Sequence, residues 1–377
     1  MRSIFTLFFY ALSLCIVAQP VLVEQSKGAS NHGKGGVQTP PTFRTICQVP
    51  ITSIKDQHRS GTCWDYATLA FFESEILRKT GQSYDLCEMF VAAKDYMDCA
   101  THYVRMHGLS DFTEGGSADD VLEVLRVYGI CPEEAMPAPG SLVGDTLANF
   151  ETFFPQLTSL VKDIIVPDAR MPEEGWREMV QAFIDKHLGV CPESFEYNGK
   201  QYTPRTFADA LGLEWDDYVS LTSFTHHPFS RWFVIEAPYK WRLKPSYNIP
   251  VDDLMDVLQR AITHGYPVAW GGDVSGDFSI KGLGQLTDGA VVSQARRQSL
   301  FDDWTFTYDH VMLIYGIATD QDGNRYYMVK NSWGKKLGYA GTWYLSEDYI
   351  RQYTTYLFLN KRVLPKQLRR EMQQHGF

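Results

Sequence analysis

The stretch QHRSGTCWDYATLAFFESEILRKTG, residues 57–81, passes from a polar, glycine-containing segment directly into an apolar run. Between Tyr66 and Leu77 apolar side chains cover most sides of a helical wheel, which predicts a helix enclosed by protein. Two basic residues followed by Gly81 are typical of a helix end. The stretch therefore predicts a long buried helix whose amino-terminal end carries a cysteine and a tryptophan.

Cys63 stands at the start of this predicted helix. An ordinary thiol, with a pKa of about 8.5, is mostly protonated near neutrality, whereas the partial positive charge of a helix amino terminus favours the thiolate. Gly61 and Thr62 are small, so a substrate can approach the backbone in front of the thiol. The position predicts a nucleophile, and a core cysteine at a helix start is the alternative.

Gln57 lies six residues before Cys63. Its carboxamide N–H and the backbone N–H of Cys63 would together form a two-donor site for a developing oxyanion. A donor pair of this kind is what acyl transfer through a tetrahedral intermediate requires.

The segment YDHVMLIYGIA places His310 at the head of a strongly apolar strand, which taken alone is typical of a structural histidine. The Asp-Gly pair at 322–323 predicts a hairpin, which would bring Asn331 of VKNSWG within a few positions of His310. An amide oxygen accepting from one ring nitrogen would fix the tautomer and leave the other nitrogen facing the thiol. Trp333 would shield that hydrogen bond from water, and a buried Asn–Trp pair without chemistry is the alternative.

Composition and charge disfavour several classes of partner. The 377 residues carry a formal charge of −10, and Lys and Arg are scattered rather than clustered, so we expect no nucleic-acid partner. Ten histidines are present, and His226 and His227 are adjacent, where successive side chains are expected to diverge. Because no histidines and carboxylates show metal-ligand spacing, we expect neither a metal site nor another cofactor.

The first residues predict export. Residues 1–18 contain a short positive start and a 15-residue apolar run, which suits a signal peptide and is short for a membrane span. Residues 19–44 are expected to form a flexible leader. The expected location is periplasmic or extracellular, without a stable membrane span after cleavage, and an uncleaved amino-terminal anchor is the alternative. Six cysteines follow the signal, and their pairing stays open.

The chain as a whole predicts an α+β fold. Helical patterns dominate its first part, and β-branched and aromatic runs separated by turns dominate its last part. The predicted regions are a helical lobe with the nucleophile helix at 45–136, a mostly helical insertion at 137–247, a β-rich lobe with His310 and Asn331 at 248–363, and a carboxyl-terminal tail at 364–377.

Taken in order, Gln57, SGTCW, Asp309-His310 and NSWG resemble the active-site blocks of papain-like cysteine peptidases. The segments CPESFEYNGKQYTP, PVAWGGDV and GYAGTWYLSEDYIRQY are most similar to the bleomycin hydrolase and aminopeptidase C branch. The resemblance spans roughly residues 45–365. It implies the two-lobed papain-like fold, with a helical lobe and a β-barrel-like lobe.

The resemblance also implies a role for individual residues. The implied catalytic residues are the nucleophile, the general acid/base, the residue that orients it and the oxyanion donor, namely Cys63, His310, Asn331 and Gln57. The candidate substrate-binding residues are Gly115, Gly116 and Trp333. The double glycine resembles the pair that lines the non-primed groove and binds peptide in extended form.

Two departures from the family pattern affect the expected activity. Ser60 stands where the papain blocks carry a cysteine, so that disulfide is not expected. The carboxyl end, PKQLRREMQQHGF, stops before the arm that restricts the branch to amino-terminal residues. We expect an exported cysteine aminopeptidase acting on peptides, and the resemblance implies a hexamer. An endopeptidase and a catalytically silent peptide-binding homologue are the alternatives.

Overall fold

A computed structural model describes residues 41–136, 142–143, 147–166 and 172–375 of the chain. The predicted signal peptide and nearly all of the predicted leader lie outside the described residues. The helices are α1 Cys63–Thr80, α2 Glu88–Arg105, α3 Ala118–Tyr128, α4 Phe153–Ile164, α5 Glu173–Leu188, α6 Pro204–Ala210, α7 Val251–Thr263, α8 Gln294–Asp302, α9 Glu347–Tyr353 and α10 Lys366–Gln374. The strands are β1 Arg44–Gln48, β2 Leu142–Val143, β3 Leu147–Ala148, β4 Phe195–Tyr197, β5 Lys200–Tyr202, β6 Tyr218–Thr222, β7 Arg231–Phe233, β8 Ser246–Asn248, β9 Val268–Gly272, β10 Phe278–Ser279, β11 Leu283–Gly284, β12 His310–Thr319, β13 Arg325–Lys330, β14 Thr342–Ser346 and β15 Thr354–Asn360.

One mixed sheet of eleven strands organises the described residues. Its order is β10-β11-β14-β13-β12-β9-β15-β6-β8-β7, and β1 pairs with the second half of β12. The β11–β14 and β6–β8 pairs are parallel, and the other pairs are antiparallel. The helices and this sheet together form the predicted α+β arrangement.

The hairpin between β12 and β13 is the part of the sheet that positions the site. The pairs run from Leu313 opposite Lys330 to Thr319 opposite Arg325. The turn between them contains Gly323, whose φ of 86° lies in the region that favours glycine. The predicted hairpin is confirmed, and it carries the residue after Lys330 back to the beginning of β12.

Helix α1 begins at Cys63 and is buried continuously from Trp64 to Ile76, as its apolar pattern predicts. Gly81 ends it in the left-handed conformation, with its N–H donating to Leu77 O at 2.9 Å. The helix packs against β12, so the amino-terminal end of a helix from the first part of the chain meets a strand from the last part.

The interval 137–247 is predicted to be a mostly helical insertion, and its bounds stay a prediction. Its described residues contain α4, α5 and α6, and also β6, β7 and the first residues of β8, which join the main sheet beside β15. Strands β7 and β8 have three residues each, and β6 and β8 are fully buried. Such short strands lack the two-residue alternation by which a strand is identified from sequence.

Two further findings concern the described residues alone. No helix among them is long and apolar enough to cross a lipid bilayer. The described cysteines, from Cys47 to Cys191, are all free thiols, and none of them forms a disulfide with another.

Asp65 is an unpaired carboxyl group inside α1. It is fully buried, and neither of its carboxyl oxygens has a hydrogen-bond partner in the described part of the chain. Burial, together with the charge of Glu88, raises the pKa of Asp65 well above its usual range. The folded protein therefore holds this group protonated under conditions in which the unfolded chain would release the proton.

Replacing Asp65 with asparagine is expected to flatten the pH dependence of stability. Above the unfolded pKa of about 3.9 the unfolded wild type ionises while the folded form keeps its proton, so each pH unit disfavours folding by about 1.4 kcal/mol. The Asp65→Asn variant lacks this contribution. Urea unfolding of both proteins at pH 4.5, 5.5 and 6.5 checks this prediction. The unfolding free energy of the variant minus that of the wild type should grow with pH, and a difference that stays constant over this range would contradict the interpretation.

Candidate active site

The thiol of Cys63 lies at the interface of α1 and β12. Thr62 O accepts from the N–H groups of Asp65 and Tyr66 at 3.0 and 3.1 Å, which fixes the first turn with Cys63 at its beginning. The backbone N–H groups of Val311 and Trp64 are directed at the sulfur. Because Val311 follows His310 in β12, the sulfur lies next to the backbone that carries the imidazole.

His310 and Asn331 form a buried pair. His310 Nε2 lies 2.9 Å from Asn331 Oδ1, which also accepts from the N–H of Ser332 at 2.7 Å. Only 4 % of His310 and 1 % of Asn331 is exposed. An amide oxygen can only accept, so the ring proton is on Nε2 and the Nδ1 lone pair is free to take a proton. This is the juxtaposition that the hairpin argument predicts.

Trp333 covers this pair. Its ring centroid lies 4.9 Å from that of His310 at an interplanar angle of 32°. A ring at this position keeps water from the His310–Asn331 hydrogen bond, as the sequence suggests. Its further assignment as a substrate-binding residue stays a prediction.

Gln57 is held on both sides of its carboxamide. Its Nε2 donates to Ser60 O at 2.7 Å, and its Oε1 accepts from Ser332 Oγ at 2.6 Å. These two bonds fix which end of the amide is the donor, and a carboxamide nitrogen carries a second N–H beyond the one that Ser60 takes. Ser332 adjoins Asn331, so one short segment positions both the amide behind the histidine and the candidate oxyanion donor.

The double glycine is required by close packing. A Cβ on Gly115 would lie 2.6 Å from the Tyr239 ring, and one on Gly116 would lie 2.8 Å from the Trp64 ring. Gly116 is buried, and its carbonyl oxygen accepts from Tyr308 Oη at 2.6 Å. Of the two, Gly115 is the one with partly exposed backbone, and the predicted role of the pair in peptide binding stays a prediction.

Burial disfavours a lone charge on either reacting group. It raises the pKa of the Cys63 thiol to about 12, although the Val311 N–H acts in the opposite direction. It lowers the pKa of His310 to about 4, although the hydrogen bond to Asn331 acts in the opposite direction. Between these two pKa values the free site contains a protonated thiol and a neutral imidazole.

The described residues include no direct hydrogen bond between the thiol of Cys63 and the ring of His310, so in this structure the sulfur interacts with backbone N–H groups instead. Contacts of this kind are often loose in free enzymes and close when substrate binds. The structure brings Cys63, His310, Asn331 and Gln57 to the interface of α1 with β12 and the segment after β13.

Two carboxyl groups near the thiol were not predicted as site residues. Glu114 accepts from the N–H of Gly61, and burial raises its pKa to about 7. Asp309 accepts from the N–H of Val274 at 2.9 Å, and burial together with the charge of Asp273 raises its pKa to about 7. The charges of both raise the pKa of Cys63. Their positions beside the double glycine and the histidine were the signals that could have found them.

The expectation that the side chains of His226 and His227 diverge is wrong. The chain bends after β6, so the two rings face the same way, with centroids 4.8 Å apart. Both Nε2 atoms meet the carboxylate of Glu236, and the three groups could hold a metal ion. Glu236 lies nine residues after His227 in a segment whose path no local spacing rule predicts.

The comparison with known families agrees with this geometry. A family model described as "Peptidase C1-like family" matches residues 180–376, more than half of the chain, and one described as "Papain family cysteine protease" matches residues 41–146. The fold and the site define a cysteine-type peptidase with a papain-like α+β fold, and the chain belongs to the Peptidase C1-like family.

Individual relatives point to one branch of that family. An Aminopeptidase C of Listeria monocytogenes is 23% identical over 91% of this chain and 87% of its own length. An Aminopeptidase E of Lactobacillus helveticus is 24% identical over 87% of this chain and 85% of its own length. A crystal structure of pepw from Lactobacillus rhamnosis superposes with a TM-score of 0.74 at 18% identity, covering 89% of this chain and 85% of that one. The predicted placement in the bleomycin hydrolase and aminopeptidase C branch is confirmed.

Proposed function

We propose that this peptidase is an aminopeptidase in which Cys63 attacks the scissile carbonyl and His310, oriented by Asn331, transfers the protons. The observation that carries the proposal is the buried His310–Asn331 pair at the start of β12, packed against the helix that begins with Cys63. A thiol at a helix amino terminus and an imidazole with a fixed tautomer are the two parts of a thiol peptidase.

The first chemical step moves one proton. Each charge alone is disfavoured by burial, but the thiolate and the imidazolium are counter-ions of each other, so transfer from Cys63 Sγ to His310 Nδ1 creates both without changing the net charge. The thiolate then attacks the carbonyl carbon. The backbone N–H of Cys63 and the second carboxamide N–H of Gln57 donate to the oxyanion that forms.

Two further transfers complete the cycle. The imidazolium of His310 gives its proton to the leaving amine as the C–N bond breaks, which leaves a thioester on Cys63. His310, again neutral, takes a proton from water as the water oxygen attacks the thioester. The sulfur leaves as a thiolate, and the carboxylic acid product departs. All of these transfers use groups of the chain and water.

Recognition of a free amino terminus is supported by two observations. The relatives described above are named aminopeptidases, and a carboxylate, Glu114, lies beside Gly61, two residues before the nucleophile. The α-amine of an amino-terminal residue is separated from the scissile carbonyl by a single carbon, so it must lie close to the sulfur during attack. Ionised Glu114 can provide the counter-charge for that ammonium group.

The test of the proposal compares an aminoacyl fluorophore that has a free amine with its amino-blocked twin. An aminopeptidase cleaves the free-amine substrate and leaves the blocked one nearly untouched. Comparable cleavage of both would show an endopeptidase instead. Cleavage of neither, together with failure of a thiol-directed epoxide to label Cys63, would show a silent peptide-binding protein.

Replacing Glu114 with glutamine is expected to lower kcat/KM for the free-amine substrate by about 10–100-fold, the usual value of a charge-assisted hydrogen bond. In the wild type that activity should rise with pH through about 7 as Glu114 ionises, and fall near 8 as the amine loses its proton. The rise near 7 should be absent from the variant's pH profile.

A control variant separates this effect from a general change of charge. Glu123 lies on α3, and its carboxylate accepts a hydrogen bond from Lys244 Nζ at 3.0 Å rather than from Gly61. The control variant is Glu123→Gln. It should leave the free-amine activity unchanged. If Cys63 of the Glu114→Gln variant also reacts more slowly with the thiol-directed epoxide, to the same extent as the loss of activity, Glu114 supports the loop around Gly61 rather than the amine.

A further inference from the structure

A cluster of potential metal-ligating side chains lies outside the active site, in the loop after β6 and the segment after β7. His226 Nε2 is 3.0 Å from Glu236 Oε2, and His227 Nε2 is 2.8 Å from Glu236 Oε1. The three potential ligand atoms lie within 4.8 Å of one another. In the sheet order, β9, β15, β6 and β8 separate β7 from the strand that begins with His310.

The backbone that carries the two histidines is held by one buried amide. Asn248, with no exposed surface, accepts from the N–H of Phe224 at 2.9 Å and donates to Phe224 O at 2.7 Å. The same Nδ2 donates to His227 O at 3.0 Å and Pro228 O at 3.2 Å. The bend that turns both rings to the same side is therefore built into the fold.

Aromatic packing fixes the two rings. His227 stacks on Phe233, with centroids 4.2 Å apart and an interplanar angle of 24°. His226 lies edge-on to the same ring, at 5.6 Å and 82°, and parallel to Phe301, at 5.7 Å and 11°. The exposed fractions of the His226 and His227 side chains are 28% and 36%, so the nitrogens are both oriented and accessible.

The third ligand is the carboxyl group of Glu236, whose side chain is 59% exposed. One of its oxygens faces the ring nitrogen of His226 and the other faces that of His227. Glu236 therefore offers its oxygens to the same point as the two imidazole nitrogens.

We propose that His226, His227 and Glu236 bind a first-row divalent cation such as Zn²⁺, with water completing the coordination. Zinc bonds of about 2.0–2.1 Å in a tetrahedron separate ligand atoms by about 3.3 Å, a few tenths more than the present N···O distances. Two imidazoles and one carboxylate suit zinc and its neighbours better than calcium or magnesium, which prefer oxygen ligands alone.

Binding requires each histidine to present a bare Nε2. In the present arrangement each Nε2–H donates to Glu236, so the ring proton must move to Nδ1, and no proton leaves the site. His226 Nδ1 lies 3.0 Å from Gln298 Nε2, a donor. Gln298 must therefore turn its carboxamide oxygen to that nitrogen, as a partner of the kind that metal-bound histidines commonly have. The turn breaks the two bonds that now orient this amide, from the N–H of Thr225 to Oε1 at 2.6 Å and from Nε2 to Asp302 Oδ1 at 2.7 Å, and their loss is a cost that metal binding must offset.

The test uses a Cys63→Ala background, since the thiol and imidazole of the active site would bind the same cations. Zn²⁺ is titrated against a chromophoric chelator, and the absorption of bound Co²⁺ reports coordination geometry. The Cys63→Ala protein should bind one equivalent in this site. Adding Glu236→Gln or His227→Ala should weaken that binding by at least about tenfold, because outer-shell partners alone are usually worth 10–100-fold.

Two controls complete the experiment. His264→Ala removes a histidine whose Nδ1 instead faces Arg260 O at 2.8 Å, and it should leave the binding unchanged. Thermal unfolding in EDTA checks that each variant is folded. Added Zn²⁺ should then raise the midpoint of the Cys63→Ala protein but not that of its Glu236→Gln derivative. Equal affinity in all variants, or no binding by the Cys63→Ala protein in millimolar Zn²⁺, would overturn the proposal.

Discussion

Replacing Cys63 with alanine is expected to lower kcat/KM for the free-amine substrate by at least about 10⁴-fold, because loss of the nucleophile removes the covalent route altogether. Substrate affinity should change little, because the groups that surround the peptide remain. Steady-state hydrolysis with active-site titration by a thiol-directed epoxide measures both effects. The label should react with the wild type at Cys63 and should not react with the variant.

A matched control uses the same change at another partly exposed cysteine. Cys191→Ala removes a thiol whose pKa is raised by burial to about 11 and which no step of the mechanism uses. It should keep the wild-type rate and the wild-type labelling. Residual hydrolysis by Cys63→Ala within tenfold of the wild type would rule out the thiol mechanism, whichever residue then carries the reaction.

Replacing His310 with alanine is expected to cost on the order of 10²–10⁴ in kcat near neutrality, the usual contribution of a positioned acid/base. The variant keeps a thiol whose pKa is raised by burial to about 12, so only a small fraction is thiolate at pH 7. Up to about pH 8, where the substrate amine keeps its proton, its residual activity should therefore rise about tenfold per pH unit. In the wild type, the imidazole of His310 is neutral above its pKa of about 4 and can accept the thiol proton.

The pH profile separates a chemical role of His310 from a structural one. His264→Ala serves as the control, because that exposed histidine lies at the end of α7 and is bonded to backbone oxygen. It should show the wild-type profile. A His310→Ala protein that loses activity equally at every pH, with no alkaline rise, would indicate a distorted site rather than a missing proton acceptor. A protein that carries both Cys63→Ala and His310→Ala should lose no more activity than the Cys63→Ala protein.

The parts of the fold that local pattern specifies could be predicted from the sequence. Helix α1 follows from an apolar run with a glycine end, and the β12–β13 hairpin follows from the Asp-Gly turn. Because the hairpin sets the register, the His310–Asn331 contact followed from spacing alone. The resemblance to papain-like peptidases supplied what spacing could not, namely that α1 and β12 pack together.

Other features depend on long-range packing that no local signal encodes. Gln57 is oriented by Ser332, 275 positions away, and Glu114 reaches Gly61 across 53 positions. The convergence of His227 on Glu236 depends on a bend that buried Asn248 holds. Strands β7 and β8, with three residues each, are too short for a periodic pattern, and β6 is buried on both faces and so does not alternate. Export stays a prediction, since the first 40 residues lie outside the described residues. The extents of the lobes stay predictions as well.

The most direct test is mass spectrometry of the enzyme, acid-quenched within milliseconds of mixing with a free-amine aminoacyl ester, followed by peptide mapping. If Cys63 forms a thioester, the peptide that contains it should gain the mass of one aminoacyl group during turnover. This added mass should disappear once the substrate is exhausted, and it should be absent from the Cys63→Ala protein. An acyl group on any other residue, or rapid hydrolysis with no acylated peptide at any time, would contradict the account.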